Sequence, residues 1–149
     1  MYSFKFGHAN AKRWQDAAQA CLTQLGEMTP PPNLGFLYAS DSLADRLHDI
    51  LYYFKEHTGV LHWVGSVGVG VCSLATEYFE APAITVMVGH FPENSFRVFS
   101  TIGKELKQFA RAHQEWYNHY QPMFGIVHGD PRNGRIPELI FQLSEHLGG

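Results

Sequence analysis

The stretch that decides the fold is LGFLYASDSLADRLHDILYYFKEHTGVLHWVG, residues 34–65. It opens with an apolar run of strand length, Leu34–Ala39, and closes with a second one, Leu61–Gly65. Between them, apolar side chains recur at helical spacing over Ser42–His57, and Gly59 is a natural helix end. A strand, a helix and a strand in so short a stretch predict a parallel βαβ unit.

The flanking sequence extends this unit into a larger α/β domain. Strands are predicted at Tyr2–Gly7, Ala83–Gly89, Phe96–Phe99 and Met123–Val127, and helices at Asn10–Leu25, from Ser100 or Thr101 to Tyr120, and from Pro137 to Leu147. Val69–Cys72 is expected to pair with Ala83–Gly89 as a hairpin arm, with Glu77–Pro82 as an exposed loop. The predicted fold is a mixed β-sheet flanked by α-helices.

Length and composition exclude several classes of protein. The chain has 149 residues, 45% hydrophobic and 17% charged, which fits one globular domain rather than a disordered segment. Its formal charge of -3 argues against general binding to nucleic acid or to an anionic membrane. No apolar run reaches about 18 residues and no secretory signal is visible, so a cytoplasmic protein is expected. Cys21 and Cys72 form neither a disulfide framework nor a zinc motif, and both thiols are expected to be buried.

A partial internal repeat emerges when the sequence is offset by 89 residues. Leu34–Tyr38 then aligns with Met123–Val127, Asp41 with Asp130, and the helical stripe of the first copy with a second one. The chain ends at Gly149, where the second strand of the repeated unit would begin. We therefore expect either a fragment of a longer protein or a short version that covers its open sheet edge by self-association, for example as a homodimer.

Polar residues follow two predicted parallel strands, and this makes them candidates for binding a ligand. In open α/β sheets, ligands bind at the carboxyl ends of the strands, near helix N-termini. Ser40, Asp41 and Ser42 follow the first strand, and the glycine-rich run Gly65, Ser66, Val67 and Gly68 follows the second. Backbone amides at the Ser42 helix start would hold a ligand carboxylate, Asp41 would meet its ammonium group, and the glycines would allow positive φ and close approach. The alternative is that the serines and Asp41 only cap the helix and the glycines form a tight corner.

A second polar group occupies the equivalent strand end in the repeat. His128, Asp130 and Arg132 follow the strand predicted at Met123–Val127, and they would complete a polar pocket. The alternative is an exposed loop in which Asp130 begins a turn.

The chain resembles the N-terminal module of the FIST domain, a prokaryotic sensory domain. The resemblance rests on Asp16–Ala20, on Leu34–Ser40 and above all on Trp63–Gly70. It implies a single receptor module over residues 1–149 that is not an enzyme, binds a small ligand such as an amino acid, and acts on a downstream signalling protein. The family is usually more than twice this length, and it tends to carry a hydroxyl or thiol pair after the first glycine, where this chain has Ser66 followed by Val67.

Three alternatives stay open. Some FIST proteins bind haem as gas sensors, and His62, His90 or His128 would then be the axial ligand. The first expectation is that the chain binds neither a cofactor nor a metal ion. A hydrolase would use Cys72 or Ser66 with His128, but no complete set of nucleophile, base and orienting group is visible. A ligand-free interaction domain is the third reading, based on aromatic residues at helical spacing, namely Phe109, Trp116, Tyr117 and Tyr120.

Overall fold

The structure, a computed structural model, describes residues 4–102 and 106–146, and the chain divides into two compact units, Met1–Phe91 and Pro92–Gly149. The strands are β1 (Phe4–Asn10), β2 (Leu34–Ser40), β3 (His62–Gly68), β4 (Gly70–Ser73), β5 (Thr76–Phe79) and β6 (Ala83–Gly89). The helices are α1 (Trp14–Leu25), a 3-10 turn (Asp41–Arg46) that leads into α2 (Leu47–Thr58), then α3 (Leu106–Tyr120) and α4 (Ile136–His146).

The first unit is built on a four-stranded mixed sheet in the order β1-β6-β2-β3. Strands β2 and β3 are parallel, which confirms the predicted βαβ unit, whereas β6 is antiparallel to both of its neighbours, β1 and β2. Because β2 and β6 lie inside the sheet, nearly all of their residues are buried, as their apolar sequences predict. The predicted fold class, a mixed sheet with flanking helices, is confirmed.

The core of the first unit lies between one face of this sheet and helices α1 and α2. It contains Leu37 and Ala39 of β2, Ile84, Val86 and Val88 of β6, and the side chains of Cys21, Ile50 and Phe54, which are fully buried. The expectation that Cys21 is a core residue is therefore confirmed. Gly7 is required where β1 passes beneath α1, because a Cβ there would lie 2.5 Å from the carbonyl oxygen of Cys21.

Several predicted boundaries in the first unit are wrong. Strand β1 continues to Asn10, which pairs with Ala83, so Asn10 is not a helix cap and α1 begins at Trp14. The predicted start of this strand, Tyr2, lies outside the described residues. Gly59 does end α2, in the left-handed conformation at φ 71°, as expected.

The predicted hairpin partner of β4 is also wrong. Strand β4 pairs with β5 rather than with β6, since both edges of β6 are already occupied by β1 and β2. The segment expected to be a loop, Glu77–Pro82, therefore contributes most of a strand. Cys72 lies on this small hairpin and is exposed, so its predicted burial is also wrong.

The second unit contains helices but no strand among its described residues. Helix α3 is described from Leu106, and its predicted start at Ser100 or Thr101 is wrong because neither residue is helical. Pro137 lies in the first turn of α4, as predicted, and the predicted helix end at Leu147 lies outside the described residues. The strands predicted at Phe96–Phe99 and Met123–Val127 are wrong: both segments are irregular, and neither pairs with another described strand. Among the described residues, the helix of the predicted second copy is therefore formed and its strand is not.

Candidate functional site

The carboxyl ends of β2 and β3 lie side by side at one edge of the sheet. In the parallel register Tyr38 is opposite Ser66 and Ser40 is opposite Gly68. The 3-10 turn that follows β2 contacts both strands. The register thus places Gly68 beside Ser40 at the start of the turn, whereas Gly65 and Ser66 lie within β3, opposite Leu37 and Tyr38.

Ser40 has a structural task at this edge. Its side chain is 1% exposed, and its Oγ accepts a hydrogen bond of 2.9 Å from the backbone N–H of Ala83, the first residue of β6. The same Oγ lies 3.0 Å from Oγ of Ser42. Ser40 makes no side-chain capping bond to the helical turn. It therefore ties the end of β2 to the start of β6 and positions Ser42 through their hydroxyl groups.

Asp41 presents an exposed carboxylate at the start of the turn. The two other acidic residues nearby, Asp45 and Asp49, lie 3.5 Å and 3.6 Å from the guanidinium of Arg46. Asp41 has no such partner among the described residues. An unpaired carboxylate beside two strand ends is suited to meeting a cationic group of a ligand.

The glycines of the predicted turn have a different role from the expected one. Gly65 lies in the middle of β3 rather than at a turn, and a Cβ there would collide with the carbonyl oxygen of Leu37 on β2. Among the described glycines, positive φ occurs at Gly26 and Gly59, not in this run. A Cβ at Gly68 would lie 3.0 Å from the carbonyl oxygen of Gly70. The glycines therefore permit close backbone approach, to β2 at Gly65 and at the β3–β4 corner at Gly68.

The second predicted group forms a local cluster on an exposed loop of the second unit. Asp130 accepts hydrogen bonds from the backbone N–H and the guanidinium of Arg132, the shortest of them 2.8 Å from Nη2. These bonds to Arg132 hold the pKa of the Asp130 carboxyl below its ordinary value. His128 is exposed on the same loop. The positive charge of Arg132 therefore pairs with Asp130 within the same turn.

The sequence reasoning missed a row of polar side chains across the sheet. The register aligns Ser66, Tyr38, Thr85 and His8 on the four strands, and their alternation with Gly7 places them on the face opposite α1. The Nδ1 atom of His8 lies 2.7 Å from the hydroxyl oxygen of Tyr78 on β5. Burial raises the pKa of Tyr38. The sequence signal is a polar residue within each strand, and aligning the four residues requires the register of the strand pairs.

The three histidines considered for haem differ in their exposure. His62 and His128 are exposed, and Nδ1 of His90 lies 2.7 Å from the carbonyl oxygen of Pro31. An exposed imidazole lacks the apolar enclosure that a haem ligand needs, and the haem alternative stays a prediction. In residues 4–102 and 106–146, no three His, Cys, Asp or Glu side chains cluster as metal ligands would.

A mixed α/β sheet with polar strand ends is compatible with many ligand-binding proteins, so the comparison with known families decides the class. The FIST N domain family matches residues 33–149, and the chain belongs to this family, as the resemblance predicted. FIST domains are sensory domains of signal transduction proteins. None of the curated proteins matches the chain. Within the part of the chain that the structure describes, every helix is too short or too polar to span a membrane.

Proposed function

We propose that this chain is a ligand-binding sensory module and that its ligand is a small polar metabolite, such as an amino acid. The observation that carries the proposal is the parallel pairing of β2 and β3 beside the unpaired carboxylate of Asp41. The ligand would lie over the turn and the end of β3. This is the edge at which ligands bind in open α/β sheets.

The residues at this edge suit a zwitterion. Asp41 would bind the ammonium group, while the hydroxyl groups of Ser42 and Ser66 would donate hydrogen bonds to the carboxylate. Gly65 and Gly68 are part of the site through the close backbone packing that they permit. Ser40 acts as a positioning residue, since its Oγ is already bonded to Ala83 and Ser42.

Signalling would follow from the position of the site at the sheet edge. The ligand would join the 3-10 turn to β3, whose one neighbour among the described strands is β2. A ligand shifts the equilibrium between two conformations by the difference in its affinity for them. Here the ligand would favour the conformation in which the turn is held against β3. A downstream signalling protein, a homodimer and a contribution from His128, Asp130 and Arg132 stay predictions. The hydrolase alternative also stays a prediction.

Isothermal titration of the full chain against the common amino acids tests this proposal. At least one amino acid should bind, and Asp41→Asn should weaken its binding about tenfold, the loss expected for one charge-assisted hydrogen bond. Ser66→Ala should weaken it several-fold. Asp45→Asn is the matched control, because this carboxylate already pairs with Arg46, and binding should be unchanged.

Two results would count against the proposal. Flat heats for the whole panel would overturn an amino-acid ligand, and equal losses in Asp41→Asn and Asp45→Asn would overturn the site. A Soret band that appears when haem is added to the purified chain would favour the gas-sensor alternative instead.

A further inference from the structure

The second unit contains a cavity at the C-terminal end of α3. Its volume is about 360 Å³, which is within the range of small-molecule sites. Its lining comes from the segment Glu93–Ser95, from Trp116 and Tyr120 of α3, and from the segment Gln121–Met123 that follows the helix. All of these residues are distinct from those of the proposed amino-acid site.

The backbone around the cavity is fixed by local hydrogen bonds. Both the backbone N–H and the hydroxyl of Ser95 donate to the carbonyl oxygen of Pro92, at 3.1 Å and 2.8 Å. The N–H of Gln121 donates to the carbonyl oxygen of Tyr117 at 2.9 Å, and Gln121 itself has a φ of 45°. A non-glycine residue in this region is uncommon, and here it turns the chain sharply from α3 into the cavity wall.

Two aromatic rings form the side of the cavity that belongs to α3. Trp116 and Tyr120 are four residues apart on the helix, with ring centroids 5.7 Å apart and planes inclined at 38°. The guanidinium of Arg97 lies 5.2 Å from the centroid of the Trp116 ring. One face of this ring therefore already takes part in a cation–π interaction, so the ring of Tyr120 and the remaining surface of Trp116 line the cavity.

The only charged side chain in the lining is an acid. Glu93 is exposed, and the described residues contain no ion pair to it. Met123 adds an apolar rim, with a side chain that is 97% exposed. Aromatic rings, a thioether and an unpaired carboxylate together favour a cation that carries alkyl groups.

We propose that this cavity binds a small organic ammonium ion, a ligand class different from that of the site at the sheet edge. Glu93 neutralises the charge, while Trp116 and Tyr120 contact the alkyl groups on the nitrogen. An amino acid is disfavoured here because its carboxylate would face Glu93.

The test compares choline with 3,3-dimethylbutan-1-ol, which has the same shape without the charge. In calorimetric titrations of the full chain up to about 10 mM, choline should bind at least tenfold more tightly than the alcohol. The indole N–H resonance of Trp116, assigned with Trp116→Phe, should shift with choline. Equal affinities, no binding of choline or an unmoved Trp116 resonance would each overturn the proposal.

Variants test whether Glu93 and Tyr120, rather than acidic groups elsewhere in the chain, bind choline. Glu93→Gln and Tyr120→Leu should each weaken choline binding about tenfold, whereas Tyr120→Phe should retain it because the ring remains. Glu115→Gln is the matched control, an exposed acid on α3 outside the cavity. Asp41→Asn should leave choline binding unchanged, which distinguishes failure here from failure of the amino-acid site. A loss in either control, or none in Glu93→Gln, would contradict the proposal.

Discussion

The β2–α2 segment and its counterpart 89 residues later have similar sequences but form different structures. In the first segment Leu34 and Leu37 are 6% and 4% exposed within the sheet. Met123 occupies the position equivalent to Leu34, and it is 97% exposed in an irregular segment. The helices agree far better, since α2 and α4 begin and end at nearly equivalent residues.

This difference separates local from non-local determinants of structure. A helix satisfies its backbone hydrogen bonds within one segment, so an amphipathic repeat is sufficient to predict it. A strand needs neighbours, and β2 has β3 and β6 on its two sides. Residues 123–127 have the composition of a strand but pair with no strand that the structure describes.

The largest expected effect concerns two isoleucines, one in each helix. Ile50 in α2 is fully buried, whereas Ile140 in α4 is 51% exposed. Ile50→Ala should lower the free energy of unfolding by about 2–5 kcal/mol, because it leaves a cavity in the core. Ile140→Ala should lower it by less than about 1 kcal/mol, since the side chain remains largely in water.

Urea denaturation followed by circular dichroism measures both losses. The two variants delete the same atoms, so each serves as the control for the other. Equal losses would show that the α4 face is buried in solution, and the contrast between the two segments would then be wrong.

A second contrast concerns two glycines. At Gly65 a Cβ would collide with the backbone of Leu37, whereas at Gly134 an added Cβ meets no atom within 4 Å. Gly65→Ala should therefore lower the free energy of unfolding by about 1–3 kcal/mol, because β2 and β3 must move apart. Gly134→Ala should change it by less than about 1 kcal/mol. Thermal unfolding of both variants checks this, and a stable Gly65→Ala protein would contradict the close β2–β3 contact.

The two cysteines extend the contrast to reactivity. Burial raises the pKa of the Cys21 thiol to about 12, and its Sγ lies 3.7 Å from the carbonyl oxygen of Ile84. Cys72 is exposed on β4. A thiol reagent such as Ellman's should modify one cysteine in the native protein and the second only on unfolding. Cys72→Ala should abolish the native reaction, and rapid modification of that variant would contradict the burial of Cys21.

The raised pKa also predicts how stability depends on pH. Between about 9, the ordinary value, and about 12, the folded chain retains the Cys21 proton that the unfolded chain has lost. Stability from this group is thus fully present below about 9 and falls as the pH rises, by at most about 1.4 kcal/mol per pH unit. Comparing Cys21→Ala with the native chain across this range measures the contribution, which the variant should lack.

The sequence predicted the features that depend on local pattern and on burial. The βαβ unit, the buried strand at Ala83–Gly89 and the end of α2 at Gly59 are all confirmed. The pairing of β4 was not predictable, because it depends on β1 occupying the edge of β6, a contact between the two ends of the first unit. Likewise, the apolar neighbours of Cys72 indicate a strand but not which face of it meets solvent.

The candidate site likewise combines features that the sequence predicts with features that depend on distant contacts. Adjacent parallel strands place Ser40 beside Gly68, and this much could be inferred from the order of elements. The hydrogen bond from the backbone N–H of Ala83 to Oγ of Ser40 could not be inferred, because it depends on β6 lying next to β2. The cross-strand row that includes His8 and Thr85 requires the register of three strand pairs, which a single sequence does not define.

The smallest expected effect compares Asp41 with Asp130, its equivalent in the repeat. Asp130 bonds to Arg132, whereas the position equivalent to Arg132 in the first copy is Leu43. Arg132→Gln should raise the pKa of Asp130 towards its ordinary value, as measured by a carboxyl carbon NMR titration with Asp130→Asn for assignment. Arg135→Gln is the control, because Arg135 pairs with Glu138 instead.

The depressed pKa of Asp130 also links this pair to stability. In the native chain it adds stability at a pH above the pKa of the unfolded state, and this stability is lost as the pH falls through the pKa of the folded state. The pair is exposed, so solvent screening should leave thermal unfolding almost unchanged. An Asp130 titration that is unaffected by Arg132→Gln would show that the pair does not form in solution, and Asp41 and Asp130 would then be equally free to meet a cationic ligand.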